Sequence, residues 1–168
     1  MRKVSPVLSV NALAEALVSL ARKKNVTFGT AESCTGGLIS AAVTGVSGAS
    51  SVFYGGVVSY ANSAKAGLLG VRKETLASFG AVSAETAGEM SIGAVKALSV
   101  DFAVSVTGIA GPGGGTPKKP VRLVYISVAS ANGVITVKEN HFDGDREEVR
   151  RQTVETALTM LISAIEQS

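Results

Sequence analysis

An extended run, Val26 to Thr30, meets an apolar, helix-compatible run, Leu38 to Val43, through Ala31-Glu32-Ser33-Cys34-Thr35-Gly36-Gly37. This is a strand-to-helix junction, and a chain that alternates strands with helices is confined to α/β architectures. The first amides of a helix lack intrahelical partners and sit at the positive end of its dipole. Such a junction suits a bound anion or a transient oxyanion. Ser33 or Thr35 can equally cap the helix with a side-chain oxygen.

The alternation runs the length of the chain. Val10, Leu13, Leu17 and Leu20 recur at helical spacing and predict a helix over Ser9 to Lys24, closed by Asn25 in a left-handed cap. After the junction, Ser51 to Tyr60 reads as strand, with Gly55-Gly56 marking a bulge or a close backbone approach. Short helices follow over Asn62 to Leu69 and Lys73 to Phe79, each ended by a glycine, and Ser83 caps a longer one to Leu98. Asp101 to Thr107 is a buried strand. Val121 to Ser130 and Val134 to Phe142 form a hairpin on the Asn132-Gly133 turn, and a last helix spans Asp145 to Ile165. The hairpin adds an antiparallel pair, so the expected architecture is α/β: a three-layer α/β/α sandwich with a mixed, partly parallel sheet.

Composition narrows the function classes. With 46% apolar and 17% charged residues the chain can bury a core, as one domain spanning residues 1–168. No apolar run approaches the roughly 18 to 20 residues that span a bilayer. The Met1-Arg2-Lys3 start lacks an apolar signal core, so a cytoplasmic location is expected, without membrane partners. The net charge of +3 does not imply nucleic-acid binding. One cysteine excludes an internal disulfide, and with one histidine excludes a Cys/His metal site. The apolar composition of so small a chain suggests a homo-oligomer.

Four further features carry possible chemistry. Lys65, one helical turn past Ala61, can swing back toward the strand end that bears Tyr60. Desolvation there would make it a general base; left in solvent it is an ordinary surface lysine. The loop Gly108-Ile109-Ala110-Gly111-Pro112-Gly113-Gly114-Gly115 can cradle a phosphate on free amides, with Thr107 or Thr116 adding a hydroxyl, or can simply be mobile. It matches neither a P-loop nor a dinucleotide fingerprint. On the last helix, Arg146 and Arg150 extend the stripe of Val154, Leu158, Leu161 and Ile165, while Arg151 points away. Inward guanidiniums need an anion, either a ligand phosphate or a carboxylate such as Asp143 or Glu32. Cys34 and His141 invite a Cys–His pair, although Cys34 also fits as a small buried apolar residue.

Taken together, A-E-S-C-T-G-G (31–37), S-Y-A-N-S-A-K (59–65), G-A-V-S (80–83), T-G-I-A-G-P-G-G-G-T-P-K-K-P-V (107–121) and G-D-R-E-E-V-R-R (144–151) resemble the CinA C-terminal domain family, from about Val10 to Ile165. The family includes stand-alone nicotinamide mononucleotide deamidases, and the single-domain length resembles that form. The resemblance implies an α/β/α amidohydrolase of pyridine nucleotide salvage that needs no metal or other cofactor and takes a small nucleotide substrate. It implies Ser33 as nucleophile with Lys65 and Tyr60 as proton-transfer partners. It further implies that Thr107 and the glycine loop (Gly108, Gly111, Gly113) bind ligand together with Arg146 and Arg150. The amides of Thr35 and Gly36 would hold the oxyanion. One position departs from the family pattern: where it usually reads K-P-V-G, this chain has Lys119-Pro120-Val121-Arg122. Arg122 either fills space meant for a ligand or a neighbouring subunit, or faces outward. The rival expectation is a non-catalytic relative that binds a nucleotide or a protein and regulates.

Overall fold

The computed structural model describes residues 8–168, so the expectation for the Met1-Arg2-Lys3 start lies outside the described residues. Helix α1 (Val10–Lys24) begins where the Ser9 hydroxyl accepts the Ala12 amide, and ends at Asn25 in the left-handed region. The amides of Asn25 and Val26 fold back onto the last helical carbonyls, Val26 onto Ala21 at 3.0 Å. Val26 is thereby taken up by the helix end. Strand β1 consequently starts at Phe28, two residues later than expected, and runs to Glu32. There follow α2 (Leu38–Thr44), β2 (Phe53–Val58), α3 (Asn62–Leu69), α4 (Lys73–Phe79) and α5 (Ala84–Leu98). The chain continues with β3 (Phe102–Gly108), β4 (Leu123–Ser130), β5 (Ile135–His141) and α6 (Arg146–Glu166).

The five strands form one sheet in the order β2-β1-β3-β4-β5. β1 is parallel to both β2 and β3, whereas β3–β4 and β4–β5 are antiparallel, which makes the sheet mixed. The register slips beside Gly55, with Phe28 opposite Phe53 but Gly29 opposite Gly55. Next to it Gly56 is the close approach: a Cβ there would lie 2.3 Å from Ser40 Oγ. The β4–β5 turn differs in detail from expectation. Gly133 N donates to Ser130 O, so Ala131 and Asn132 are the central residues and Gly133 takes the left-handed position after them, φ 92°. That is the three-residue solution with a terminal glycine rather than a two-residue Asn-Gly turn.

Helices α1, α2 and α6 cover one face and α3, α4 and α5 the other. Leu17, Phe28, Val104, Ile126, Leu158 and Leu161 centre the larger core, and Leu69, Val71, Met90, Ala94 and Ala103 the smaller one. The smaller core sets the height of α3. A Cβ at Gly93 of α5 would sit 1.8 Å from the Leu69 carbonyl oxygen, so the two helices meet backbone to backbone. Only glycine permits that approach. None of the described helices is long and apolar enough to cross a membrane.

Candidate active site

The carboxyl ends of the parallel strands β1, β2 and β3 lie along one edge of the sheet, where β1 is flanked by strands reached through opposite faces. Such switch points are the usual place for a site. Ser33 follows β1 directly and its amide donates to the Val106 carbonyl of β3. Ser59 and Tyr60 follow β2, and the Ser59 amide donates to the Glu32 carbonyl.

Lys65, in the first turn and a half of α3, points back under this edge and is 1% exposed. Its Nζ donates to Ser33 Oγ at 3.0 Å, to the Ser59 carbonyl at 2.8 Å and to the Tyr60 carbonyl at 3.2 Å. No carboxylate among the described residues partners it. Burial therefore pushes its pKa below the ordinary lysine value, with the nearby Cys34 acting weakly in the opposite direction. Of the two readings of this lysine, the desolvated one holds.

Glu32, fully buried, is not the arginine partner that the sequence offers. Its carboxylate instead accepts four bonds: from Thr35 Oγ1 (2.7 Å), Ile39 N (2.8 Å), Ser40 N (3.0 Å) and Ser40 Oγ (2.8 Å). It is the cap of α2, supplied from the preceding strand. Neither Ser33 nor Thr35 caps: the N-cap residue is Gly37, in the left-handed region and without a side-chain bond. Ser33 is left to Lys65. The signal for Glu32 was a carboxylate inside an otherwise apolar strand, which must find several donors when buried.

The junction's amides divide unevenly. Gly36 N donates to the Ser33 carbonyl at 3.1 Å, closing a turn, so Gly36 is not the oxyanion donor expected of it. The Thr35 amide donates to no other backbone carbonyl among the described residues and remains available. The Thr35 hydroxyl is committed to Glu32.

Tyr60 meets Lys65 through its carbonyl, not its ring. Tyr60 is 63% exposed and its hydroxyl stands 3.4 Å from Arg146 Nη2, which corrects its expected position beside the lysine. The Cys–His pair does not form. His141 lies on the edge strand β5 against Glu139, and burial pushes the Cys34 thiol up to about 11. A thiol with that pKa is not a ready nucleophile at neutral pH.

Arg146 Nη1 donates to the Gly111 carbonyl at 2.9 Å. Arg150 donates from Nε to the Cys34 carbonyl at 3.1 Å and from Nη2 to the Thr35 carbonyl at 3.0 Å. Neither pairs with Asp143 or Glu32. Arg151 faces away, between Glu148 and Glu155, as its helical phase requires. Both inward arginines line a cavity of about 900 Å³ whose apolar wall is Leu38, Ala110, Pro112 and Val121. Ser33 and Lys65 do not line it, but Arg150 grips the two residues that follow Ser33.

The glycine loop contributes less than expected. Thr107, buried, donates its hydroxyl to the Ala81 carbonyl at 2.7 Å. Gly108 serves packing, since a Cβ there would press within 2.6 Å of Val124. Gly111 offers its carbonyl to Arg146, and Gly113 has open space around it. Ala110 and Pro112, not the glycines, reach the cavity wall.

The CinA C-terminal domain family model matches residues 10–165. The chain belongs to the CinA C-terminal domain family. A CinA-like protein from Leptospira borgpetersenii is 49% identical over 154 residues, 92% of this chain and 37% of the relative. A putative competence-damage inducible protein from Thermoanaerobacter is 52% identical over 147 residues, 88% of this chain and 35% of its own length. The CinA domain described here thus spans little more than a third of these curated relatives. Among solved structures, the competence/damage inducible protein CihA from Agrobacterium tumefaciens superposes with a TM-score of 0.90 at 46% identity, covering 94% of this chain and 95% of that one. A CinA superfamily protein from Klebsiella pneumoniae gives 0.92 at 32% identity, covering 96% and 100%. The α/β fold with its mixed five-stranded sheet is that of CinA domains.

Proposed function

We propose that this CinA domain is an amidohydrolase that converts nicotinamide mononucleotide to nicotinate mononucleotide and ammonia through Ser33 and Lys65. The observation that carries the reading is the 3.0 Å hydrogen bond between Lys65 Nζ and Ser33 Oγ in a buried edge of the sheet. A lysine desolvated to this degree can act neutral, and a neutral amine at hydrogen-bond distance is the activating base that a serine needs.

In this reading Ser33 Oγ attacks the carboxamide carbon while Lys65 takes the hydroxyl proton. The carbonyl electrons move to oxygen, toward the Thr35 amide. As the tetrahedral species collapses, the C–N bond breaks and the Lys65 ammonium returns its proton to the leaving nitrogen, releasing ammonia. Water then adds to the acyl-serine ester and gives a proton to Lys65. Collapse frees the carboxylic acid and restores Ser33. The carbonyls of Ser59 and Tyr60 orient the amine and accept its N–H groups while it carries the transferred proton. Arg146 and Arg150 supply the positive wall suited to the phosphate end of the substrate.

Ammonia release from nicotinamide mononucleotide tests the reading directly. Wild type should turn over, and Ser33→Ala and Lys65→Ala, both folded, should each lose about a thousandfold or more. Wild-type activity in Ser33→Ala would remove the serine from the mechanism.

A further inference from the structure

Arg122 has no part in the chemistry above, yet its placement is costly and specific. Its φ of 78° lies in the left-handed region that a long side chain rarely adopts. The backbone is pinned there from both sides. Arg122 N donates to the Ile109 carbonyl at 2.6 Å, and its carbonyl accepts the Phe142 amide at 3.1 Å. The first bond ties it to the glycine loop and the second to the connection that leads into α6. Residue 122 is therefore a fixed mount between the two segments that carry Ala110, Pro112, Arg146 and Arg150.

The residue is exposed and lines the same cavity of about 900 Å³ as Arg146 and Arg150. Three arginines thus line one cavity. Arg146 and Arg150 donate to neutral acceptors, the carbonyls of Gly111, Cys34 and Thr35 and the Tyr60 hydroxyl, which leave their charge uncompensated. Arg122 takes part in no ion pair among the described residues. Two carboxylates line the cavity as well. Asp145 is committed to capping α6 through the Glu148 amide at 2.9 Å, and Glu147 offsets one positive charge. The balance of the wall is positive and its acceptor capacity low, the arrangement that recognises a phosphate.

We propose that Arg122 is a specificity-determining residue that, with Arg146 and Arg150, selects ligands ending in a phosphate ester over their dephosphorylated counterparts. The identity of the whole substrate rests on the amidohydrolase reading; the preference for phosphate does not. Arg122→Gly suits the left-handed backbone and removes the cation, so it tests charge without forcing the fold. Arg122→Lys returns the charge.

The experiment pairs titration calorimetry of the full chain against inorganic phosphate with turnover of nicotinamide mononucleotide and of its nucleoside, nicotinamide riboside. Arg122→Gly should weaken phosphate binding and raise the mononucleotide KM by about tenfold, the size expected for one charge-assisted contact. The effect should fall on KM rather than kcat, should spare the nucleoside, and should be largely reversed in Arg122→Lys. Equal effects on both substrates, an unchanged KM, or wild type that binds no phosphate would each overturn the proposal. If wild type turns over neither substrate but loses phosphate binding in Arg122→Gly, the amidohydrolase reading falls and the phosphate selection stands.

Discussion

Lys65 Nζ lies 3.0 Å from Ser33 Oγ, and its other contacts are two backbone carbonyls, those of Ser59 and Tyr60. A lysine whose neighbours are a hydroxyl and two carbonyls receives orientation from all three and charge compensation from none. Its titration is therefore governed by burial, which favours the neutral amine.

The pH dependence follows from that direction. In the amidohydrolase reading the neutral amine is the working base, so kcat/KM should rise with pH along an acid limb whose midpoint lies below the ordinary lysine value of 10.5. Stability should move the same way. Between the lowered folded pKa and the ordinary unfolded one the unfolded chain binds more protons, so stability rises with pH across that window. A pH–rate profile and urea melts over the same range check both. An acid limb at or above the ordinary lysine range would exclude Lys65 as the base.

Cys34 should be dispensable for chemistry. With its thiol pushed up to about 11, alkylation at neutral pH should be slow, and Cys34→Ser should keep most of the wild-type ammonia release. Loss of turnover in a folded Cys34→Ser protein, with Ser33→Ala still active, would transfer the nucleophile to position 34.

Glu32 should matter to stability as well as to the site. Glu32→Gln replaces an acceptor oxygen by an amide that faces donors, leaving buried N–H or O–H groups of Thr35, Ile39 or Ser40 unpaired. The expected cost is about 2–3 kcal/mol in urea unfolding. Activity should fall as well, because the same carboxylate holds the turn that carries Ser33. A Glu32→Gln protein with wild-type stability would refute this role.

Gly93 should control the lysine from a distance. Gly93→Ala drives a methyl into the Leu69 carbonyl, and α3 must shift to admit it, at a cost of about 3 kcal/mol or more and with a lowered kcat. Gly88 in the same helix is the control. A Cβ there meets only Val137 Cγ2 at 3.9 Å, so Gly88→Ala should stabilise by up to about 1 kcal/mol through helix propensity. Thermal melts and steady-state rates on the two variants check the pair.

Much of this was legible in the chain itself. The α3 and α4 boundaries coincide with expectation because a terminal glycine marks each helix end, and α5 begins at a true serine cap. The inward phase of Arg150 and the outward phase of Arg151 follow from helical periodicity. What periodicity cannot carry is which of several polar atoms at a crowded junction takes which partner. Glu32 takes the capping role from Ser33 and Thr35, Gly36 turns its amide inward, and Tyr60 presents its carbonyl where its hydroxyl was expected. Each outcome depends on angles set by neighbouring strands that have no local signature.

The β4–β5 turn lies at the sheet edge opposite Ser33, because Ser130 pairs with Phe102 at the start of β3 while Ser33 stands beside the end of that strand. A strand of this length sets the two about 20 Å apart. A fluorophore or affinity tag placed between Ala131 and Val134 would therefore report on the domain, or anchor it to a surface, with the edge that bears Ser33 left facing solvent.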